Sequence, residues 1–410
     1  EDNTALGYNA LTNAQEDGRN TAIGRGALAG QNGAGTAYNT ALGYNAGGAV
    51  TTAARNTLIG GLSGDAITAG GDNVTLGYNT LSSNTIGNSN VAIGKDAMLQ
   101  NVAADRNVAV GLGSLQNMTS ATTTDSYNVG VGYASGGSIT SGSGNNLIGG
   151  LAGDAITTGS ENTALGRSAL GAEVEGGRNI AIGHRSLASQ ITTSFAYNLA
   201  VGYNAGVNIT TGTLNTIVGS NAGDALTTAA HNTVLGYQAL SAEDTDGFNT
   251  AIGFQTLLVQ DGASLNTAVG YKAGDSVTDG GNNTLIGGNA GDAITSGVNN
   301  VCVGQGSGKV LTTGNNNVYI GRDIDASASG ATNEISIGEA SVGNGNNTVT
   351  LGNSSVSGLH CQVNSISALS DKRDKTNIEN SEYGLNIIEN LKPVIFEWDQ
   401  RDGNRKGLKD

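Results

Sequence analysis

Proline, aromatic rings and charged side chains are all scarce in this sequence. Its 410 residues include one proline, 4% aromatic residues and 13% charged residues, against about 25% charged residues in ordinary globular proteins. The two cysteines, Cys302 and Cys361, give neither a disulfide framework nor a zinc-binding spacing. There is no signal peptide pattern and no run of about 18 apolar residues that would predict a membrane span. We therefore expect no cofactor, no metal site and no insertion into a membrane.

Positive charge is also in short supply. The chain has 34 acidic residues against 19 Lys and Arg, which gives a net charge of −15. A nucleic-acid-binding surface needs clustered Lys and Arg, so we expect no nucleic-acid partner. The sequence begins within a repeat and without methionine, which predicts a piece of a longer protein.

Glycine is abundant, with 66 residues, and it recurs at fixed places. The phrase N-[TV]-x-[ILV]-G repeats from Gly7 to Gly338, and of the 19 intervals between its glycines 16 are 17 residues, two are 19 and one is 21. A last interval of 14 residues reaches Gly352. Self-similarity at a fixed period is typical of repeat architectures. Because Thr, Val and Ile also hold fixed positions, we expect an ordered chain.

The period and the composition of the repeat favour strands over helices. A helical repeat needs about 33 residues or more, and this one is shorter. Short runs of Thr, Val, Ile and Leu between Asn and Gly are typical of strands. We predict an all-β fold, a parallel β-solenoid with coils of about 17 residues over residues 1–355. With coils about 4.8 Å apart, 21 of them would form a rod of roughly 100 Å.

Stacking in register places each residue on its equivalent in the next coil. The repeated Asn is expected to form a ladder of side-chain hydrogen bonds, and the repeated Gly to form a corner that residues with a Cβ would resist. The first members of the predicted ladder are Asn3, Asn20, Asn39, Asn56, Asn73, Asn90 and Asn107.

Both faces of the predicted strand are largely apolar. Side chains alternate along a strand, so in NTAIG the Thr and Ile point one way and the Ala points the other. A strand that is apolar on both faces is buried on both, and one coil covers only one face with its own core. We therefore predict a homotrimer around the long axis. The Ala position is filled, among others, by Ala5, Ala22, Ala41, Leu58, Ala92, Leu147, Ile217, Val234, Leu285 and Cys302.

The phrase N-[TV]-A-[IV]-G-x-x-[AS]-[LG] resembles the head repeats of trimeric YadA-like adhesins and the longer-period repeats of bacteriophage tail fibres. The resemblance covers roughly residues 1–355. Adhesin heads use a shorter period, close to the final 14-residue interval here, so their coil cross-section does not carry over in detail.

The composition changes after about residue 356. Residues 371–410 contain 8 Lys and Arg, 9 Asp and Glu, and the only Trp and Pro of the chain. The patterns S-D-x-R-x-K-x-x-I, from Ser370 to Ile378, and L-K-P-V-x-F-x-W, from Leu391 to Trp398, resemble the start of a C-terminal intramolecular-chaperone peptidase family. That family ends many phage tail fibres, tail spikes and endosialidases. The resemblance implies three parts, a shaft over 1–355, a linker over 356–370 and the N-terminal part of a small α+β chaperone domain over 371–410.

In that family the module trimerises, templates the folding of the upstream β-fibre and then cuts itself off between Ser and Asp. The resemblance implies that Ser370–Asp371 is the scissile bond, that Ser370 is the nucleophile and that Lys375 is the base or proton donor. A hydroxyl needs an adjacent base to become a good nucleophile, and a Lys can act as that base when burial or a neighbouring cation lowers its pKa. The alternative is a charged, solvated linker with an incidental Ser-Asp pair.

Two rows of side chains within the repeats have more than one interpretation. Tyrosines that follow the corner glycine could stack on sugars, or pack at the corner of the coil, which we favour. Acidic residues of the GDAIT-type phrases recur every four or five coils, and three symmetry copies of one of them could ring an axial ion. The two rows comprise Tyr8, Tyr44, Tyr78, Tyr133, Tyr203, Tyr237 and Tyr271, and Asp65, Asp154, Asp224 and Asp292.

The repeats and the C-terminal motifs together predict a structural virion protein. It would be the trimeric shaft of a phage tail fibre or spike, joined to other tail proteins and in contact with a host-surface receptor, which we expect to be a glycan. A polysaccharide depolymerase tailspike and a bacterial trimeric surface adhesin are the alternatives. We expect receptor contact at the irregular coils near residues 29–38, 112–128 and 184–198, because loops on a rigid rod vary without disturbing its stack.

Overall fold

The computed structural model describes residues 2–15, 18–33, 35–120, 123–243 and 245–360. Within these residues the fold is all-β and has no helix. Residues Glu1–Val356 form one compact unit, and the second unit, Ser357–Asp410, lies outside the described residues except for its first four. The described part therefore contains no helix that is long and apolar enough to cross a membrane.

Each repeat contributes one strand of three residues to a single sheet of 21 strands. In chain order β1 to β21 are Thr4–Leu6, Thr21–Ile23, Thr40–Leu42, Thr57–Ile59, Val74–Leu76, Val91–Ile93, Val108–Val110, Val129–Val131, Asn146–Ile148, Thr163–Leu165, Ile180–Ile182, Leu199–Val201, Thr216–Val218, Thr233–Leu235, Thr250–Ile252, Thr267–Val269, Thr284–Ile286, Val301–Val303, Val318–Ile320, Ile335–Ile337 and Val349–Leu351.

Every strand pairs in parallel with the equivalent strand of the next coil. In β2 and β3, for example, Thr21 pairs with Thr40 and Ala22 with Ala41. Because equivalent residues pair at each step, the register never slips along the sheet. The predicted parallel β-solenoid with coils of about 17 residues is confirmed.

The repeated Asn forms the predicted ladder inside the coils. The backbone N–H of Asn56 donates to Oδ1 of Asn39 at 2.9 Å, and its Nδ2 donates to the carbonyl of Gly70 at 3.0 Å. The same backbone-to-amide bond recurs at each step from Asn3 to Asn317, whose Oδ1 accepts from the N–H of Glu334 at 2.8 Å. Since the ladder side chains from the second coil onward are buried, each bond satisfies backbone groups that water cannot reach.

The corner after each strand requires glycine. Gly60 has φ +131°, and a Cβ built on it would lie 2.1 Å from the carbonyl oxygen of Gly77 in the next coil. Left-handed backbone of this kind is accessible to glycine at little cost, and here the neighbouring coil also leaves no room for a side chain. Both reasons explain why this glycine never changes along the repeats.

The rest of a coil forms two further sides, as the coil from Thr57 to Asn73 illustrates. The strand side is Thr57–Ile59, the turn side is 60–66 and the third side is 67–73. On the turn side two consecutive turns close with bonds from the N–H of Ser63 to the carbonyl of Gly60, at 3.4 Å, and from the N–H of Ile67 to that of Gly64, at 3.1 Å. Left-handed residues therefore alternate along this side, including Leu62 with φ +57°.

The narrow interior of the coils is filled in two complementary ways. In one, a glycine on the turn side faces a large aliphatic residue three positions later, as Gly64 faces Ile67. A Cβ on Gly64 would lie 2.8 Å from Cδ1 of Ile67 and 2.9 Å from Cδ2 of Leu58. In the other, a leucine takes the glycine position and a polar residue follows, as with Leu81 and Asn84, which are both buried. Total side-chain volume is thereby kept close to constant, as a close-packed core demands.

Candidate functional site

The three long coils, at 29–38, 112–128 and 184–198, keep the strand side and the ladder of the regular coils. At the longest of them the N–H of Asn128 still donates to Oδ1 of Asn107, at 3.0 Å across 21 residues, and Ala109 still pairs with Gly130. The additional residues all lie on the third side, between the end of the turn side and the next ladder Asn. The rod therefore changes its outline at these coils without changing its core.

An arginine and a tyrosine meet at each long coil. The pairs are Arg19 with Tyr38, Arg106 with Tyr127 and Arg178 with Tyr197, and each guanidinium lies between 5.4 and 5.9 Å from the centre of its tyrosine ring. In each pair the arginine precedes one ladder Asn and the tyrosine precedes the next. We did not predict a role for these arginines, although an Arg-Asn pair before each long coil and a Tyr-Asn pair at its end can both be found in the sequence.

A cleft of about 360 Å³ opens beside the long coil at 184–198. The aromatic ring of Phe195 lines it and is 45% exposed. The guanidinium of Arg178 packs 3.9 Å from the centre of that ring, which fixes the ring at the edge of the cleft. Hydroxyl groups and one carboxylate supply the remaining lining, which consists of Thr158, Ser160, Glu175, Thr193 and Ser194.

A second cleft, of about 320 Å³, lies beside the long coil at 112–128. Its lining is also rich in hydroxyl groups, with five hydroxyl side chains and one carboxylate but no aromatic ring, and it consists of Ser120, Thr124, Asp125, Ser126, Ser141 and Ser143. The hydroxyl of Tyr127 donates to Oδ2 of Asp125 at 3.1 Å. Two long coils therefore carry similar polar clefts.

The positive charges near both clefts are paired with carboxylates. Nε of Arg178 donates to Oε2 of Glu161 at 2.6 Å, and Arg106 forms an ion pair with Asp125. The hydrogen bonds with Glu161 and then Tyr197 raise the pKa of Arg178. Neither cleft is lined by Lys or Arg, so neither offers an unpaired cation to an anionic ligand.

The tyrosines that follow the corner glycine lie on the surface, with between 46% and 69% of each residue exposed. At these corners some of the rings pack on one another between neighbouring coils, for example Tyr237, Phe254 and Tyr271, whose successive ring centres lie 5.6 and 5.5 Å apart. Stacking on sugars stays a prediction.

The acidic row lies on the turn side and is half-buried. Burial raises the pKa of Asp65, Asp154 and Asp224 above the usual range for a carboxyl group. Within the described part of the chain no group of three or more His, Cys, Asp or Glu residues is placed to hold a metal ion. An ion shared among symmetry copies stays a prediction.

The predicted cleavage residues Ser370 and Lys375, with the bond to Asp371, lie outside the described residues. The family model described as chaperone of endosialidase matches residues 370–408, which include both residues and begin at the predicted nucleophile. No curated protein matches the chain. A β-solenoid followed by this C-terminal match fits a protein of the tail-fibre or tailspike kind.

Proposed function

We propose that this chain is the shaft of a bacteriophage tail fibre or tailspike, that it acts as a homotrimer and that it contacts the host surface. The observation that carries the proposal is a stripe of apolar side chains on the outer face of the strand side. From β2 to β20 the middle residue of the strand is buried in the coil, and the residues on either side of it point outward, as in β4 and β14. The stripe therefore runs along the solenoid.

The exposure of this stripe is high for a soluble chain. Leu42, Leu76, Leu165 and Leu235 each have between 44% and 46% of their surface exposed. Parallel sheets are normally covered on both faces, and contiguous apolar patches beyond a few hundred Å² are rare on monomers. Three copies facing a common axis would cover all three stripes at once.

The exposed tyrosines and Phe254 that follow the corner glycines form a surface aromatic row, and this row widens the apolar stripe. Each of its residues directly follows a corner glycine and so borders the strand side. Arg25 packs over the rings of both Tyr8 and Tyr44, at 5.7 and 5.9 Å from their centres. Aromatic and arginine side chains are enriched where proteins meet, which supports an interface that includes this edge.

The mass in solution tests the assembly. We expect the full chain to sediment as a trimer, and a variant with Leu76→Lys, Leu165→Lys and Leu235→Lys to dissociate, because three charges per chain would be buried without partners. A variant with lysine at exposed third-side positions, Thr158→Lys and Ala69→Lys, should stay trimeric. A folded wild-type monomer would overturn the proposal.

For the C-terminal module we propose self-cleavage of the Ser370–Asp371 bond. The family match over residues 370–408 supports a chaperone that assists folding of the upstream fibre. Ser370 would act as the nucleophile on the carbonyl carbon of this bond, with Lys375 as the base that takes its hydroxyl proton or the acid that protonates the leaving amine of Asp371. The C–N bond breaks as an ester forms, and water then hydrolyses the ester to leave a fragment that ends at Ser370.

Intact-mass measurement tests the cleavage. We expect a fragment that ends at Ser370, its loss in Ser370→Ala and in Lys375→Ala, and its persistence in the control Thr376→Ala. An uncleaved wild-type chain under native conditions, in a preparation of folded trimer, would contradict the cleavage while leaving the shaft in place.

Host contact by binding is favoured over polysaccharide cleavage. A glycosidase site uses a pair of carboxyl groups, whereas one carboxylate lines each cleft beside the long coils, Glu175 in one and Asp125 in the other. Shorter oligosaccharides released from host capsule by the purified protein would reverse this preference. Immunogold labelling of virions should place the chain on the tail, and labelling of a bacterial envelope instead would favour an adhesin.

A further inference from the structure

The two clefts beside the long coils are neighbours on one surface. Ser141 and Ser143 in one cleft stand one coil away from Thr158 and Ser160 in the other. The coils are tied together here, because the N–H of Ser143 donates to Oγ of Ser160 at 3.1 Å. The clefts therefore form parts of one trough along the rod.

The long coils form the two ends of this trough and three regular coils form its floor. Its ends are the third sides of the coils at 112–128 and 184–198, which contain the additional residues. Four coil steps of about 4.8 Å separate them, so the trough extends over roughly 19 Å. The third long coil, at 29–38, has the arginine–tyrosine pair without a neighbouring long coil within four steps.

The lining indicates the chemistry of the ligand. A hydroxyl or a carboxylate side chain lies at each coil step along the floor, with Ser141 and Ser143, then Thr158 and Ser160, then Glu175, and one aromatic ring, that of Phe195, lies at the end. Hydroxyl-rich ligands with apolar ring faces match such a surface. An anionic ligand does not, because Arg106 and Arg178 are already paired with carboxylates and the protein has a net charge of −15.

We propose that the trough binds a neutral glycan chain that lies along the fibre axis, a proposal that rests on the host-surface role given above. The spacing of about 4.8 Å between coils is close to the length that one pyranose residue occupies in an extended chain. Successive sugars could therefore meet the hydroxyl groups of two successive coils and then the carboxylate of Glu175, with one sugar ring against Phe195. A peptide strand is a poorer match, because the third side offers no continuous strand edge in the described residues.

A microbial glycan array that carries both neutral and acidic oligosaccharides tests this proposal on the full trimer. We expect wild-type protein to bind neutral glycans of several sugars, and Phe195→Ala to weaken binding about tenfold, which is the loss of about 1.4 kcal/mol. Phe195→Tyr, which keeps the ring, should retain binding. Tyr38→Ala, at the long coil outside the trough, should also retain it.

Hydrogen exchange on the same samples locates the glycan and checks the fold. Binding should protect amides near 158–160, 175–178 and 193–195 and leave those near 32–38 unchanged. Binding to acidic glycans alone, equal binding by wild type and Phe195→Ala, or no binding by the wild-type trimer would each overturn the trough. If the protein is a trimer but fails these tests, the glycan-binding trough is wrong and the proposed shaft stands. If the protein is a monomer, the proposed shaft itself is contradicted.

Discussion

Regular and long coils differ in length by up to four residues and yet share one core. In both, the strand side pairs in register and the ladder Asn accepts the next ladder N–H, at 2.9 Å for the step from Asn56 to Asn73 and 3.2 Å for the step from Asn179 to Asn198. The third side absorbs every additional residue. The comparison teaches that strand side, corner and ladder fix the stack, while the third side is free to vary and to acquire binding groups.

The corner should be the least tolerant part of a regular coil. Gly149→Ala would place a Cβ 2.5 Å from the carbonyl oxygen of Gly166, at φ +138°. Strain and overpacking together should cost about 4 kcal/mol. Because solenoids unfold in units of neighbouring repeats, the loss is best measured as reduced hydrogen-exchange protection over residues 132–166.

The adjacent glycine supplies the matched control for that measurement. A Cβ on Gly150 would meet no atom within 4 Å, so Gly150→Ala should leave protection unchanged. Equal losses in the two variants would show that the corner is not what restricts the coil.

The ladder should matter equally in regular and long coils. Asn73→Ala would leave the N–H of Asn90 without its acceptor at 2.9 Å and the carbonyl of Gly87 without its donor. Two unsatisfied buried groups should cost about 3 kcal/mol. Asn128→Ala, in the longest coil, should cost the same, because it leaves the N–H of Asn145 and the carbonyl of Gly142 without partners. Local exchange protection measures both, with the exposed Asn208→Ala as a control that stays near wild type. A much smaller loss at Asn128 would mean that long coils keep register by other means.

Substitutions in the interior of a coil should have an intermediate effect on its stability. Gly64→Leu inserts a side chain where Ile67 and Leu58 already pack, and overpacking of this kind should cost about 2 kcal/mol. Adding Ile67→Asn and Leu58→Thr copies the interior of the next coil and should recover much of the loss. Chemical denaturation with local exchange measures the coupling, and additive losses would contradict complementary filling.

Converting a regular coil into a long one should have a small effect. Inserting Gly-Ser after Ser296, on the third side, should cost less than about 1 kcal/mol, because loop-closure entropy grows slowly with length. The same insertion after Asp292, on the turn side, should break the pairing with neighbouring coils. Exchange protection of β17 and β18 compares the two, and similar losses would contradict the freedom of the third side.

The effect of pH on local stability should have opposite sign at two buried glutamates, Glu243 and Glu334. It should be the smallest of the effects considered. Burial raises the pKa of Glu243 despite hydrogen bonds from Gln260 and Asp246. Burial acts on Glu334 in the same direction, but hydrogen bonds from Ser327, Gly345 and Tyr319 outweigh it and its pKa lies below the usual value.

The opposite shifts determine the sign of each response. A raised native pKa means that Glu243 disfavours the folded coil at neutral pH and that this cost fades as pH falls. The stabilisation from Glu334 is present above its unfolded pKa and is lost as pH falls through its lower folded pKa. On acidification from pH 7 to 4, protection near 243 should rise relative to protection near 334, corrected for intrinsic exchange. Glu243→Gln should remove the rise, and parallel responses would contradict the assignment.

The sequence predicted the period, the strands, the ladder and the corner, because each of these recurs at every coil and stacking forces equivalent residues together. It did not predict the turn side, where Leu28 adopts φ +48°. Leucine rarely takes that conformation, and here the pairing between coils holds it. It also did not predict how far the tyrosines after the corner glycine, such as Tyr44, are exposed, because the path of the chain around a corner depends on the neighbouring coil.

The candidate sites also differ in how far the sequence predicts them. The cleavage residues Ser370 and Lys375 rest on local motifs and were legible in the sequence. The trough could be predicted only in part. The long coils can be located in the sequence, whereas the cleft at Phe195 combines side chains from three coils, which the sequence does not show.

By itself the sequence determined the solenoid, since a fixed period of strand-forming residues with Asn and Gly at set positions can bury its polar backbone only by stacking on its own copies. The tertiary structure decided which side chains those copies leave outside: the apolar stripe, the aromatic row and the trough. The physical reason is that exposure depends on the distance between neighbouring coils and on the path of each corner, and neither is written in any single repeat.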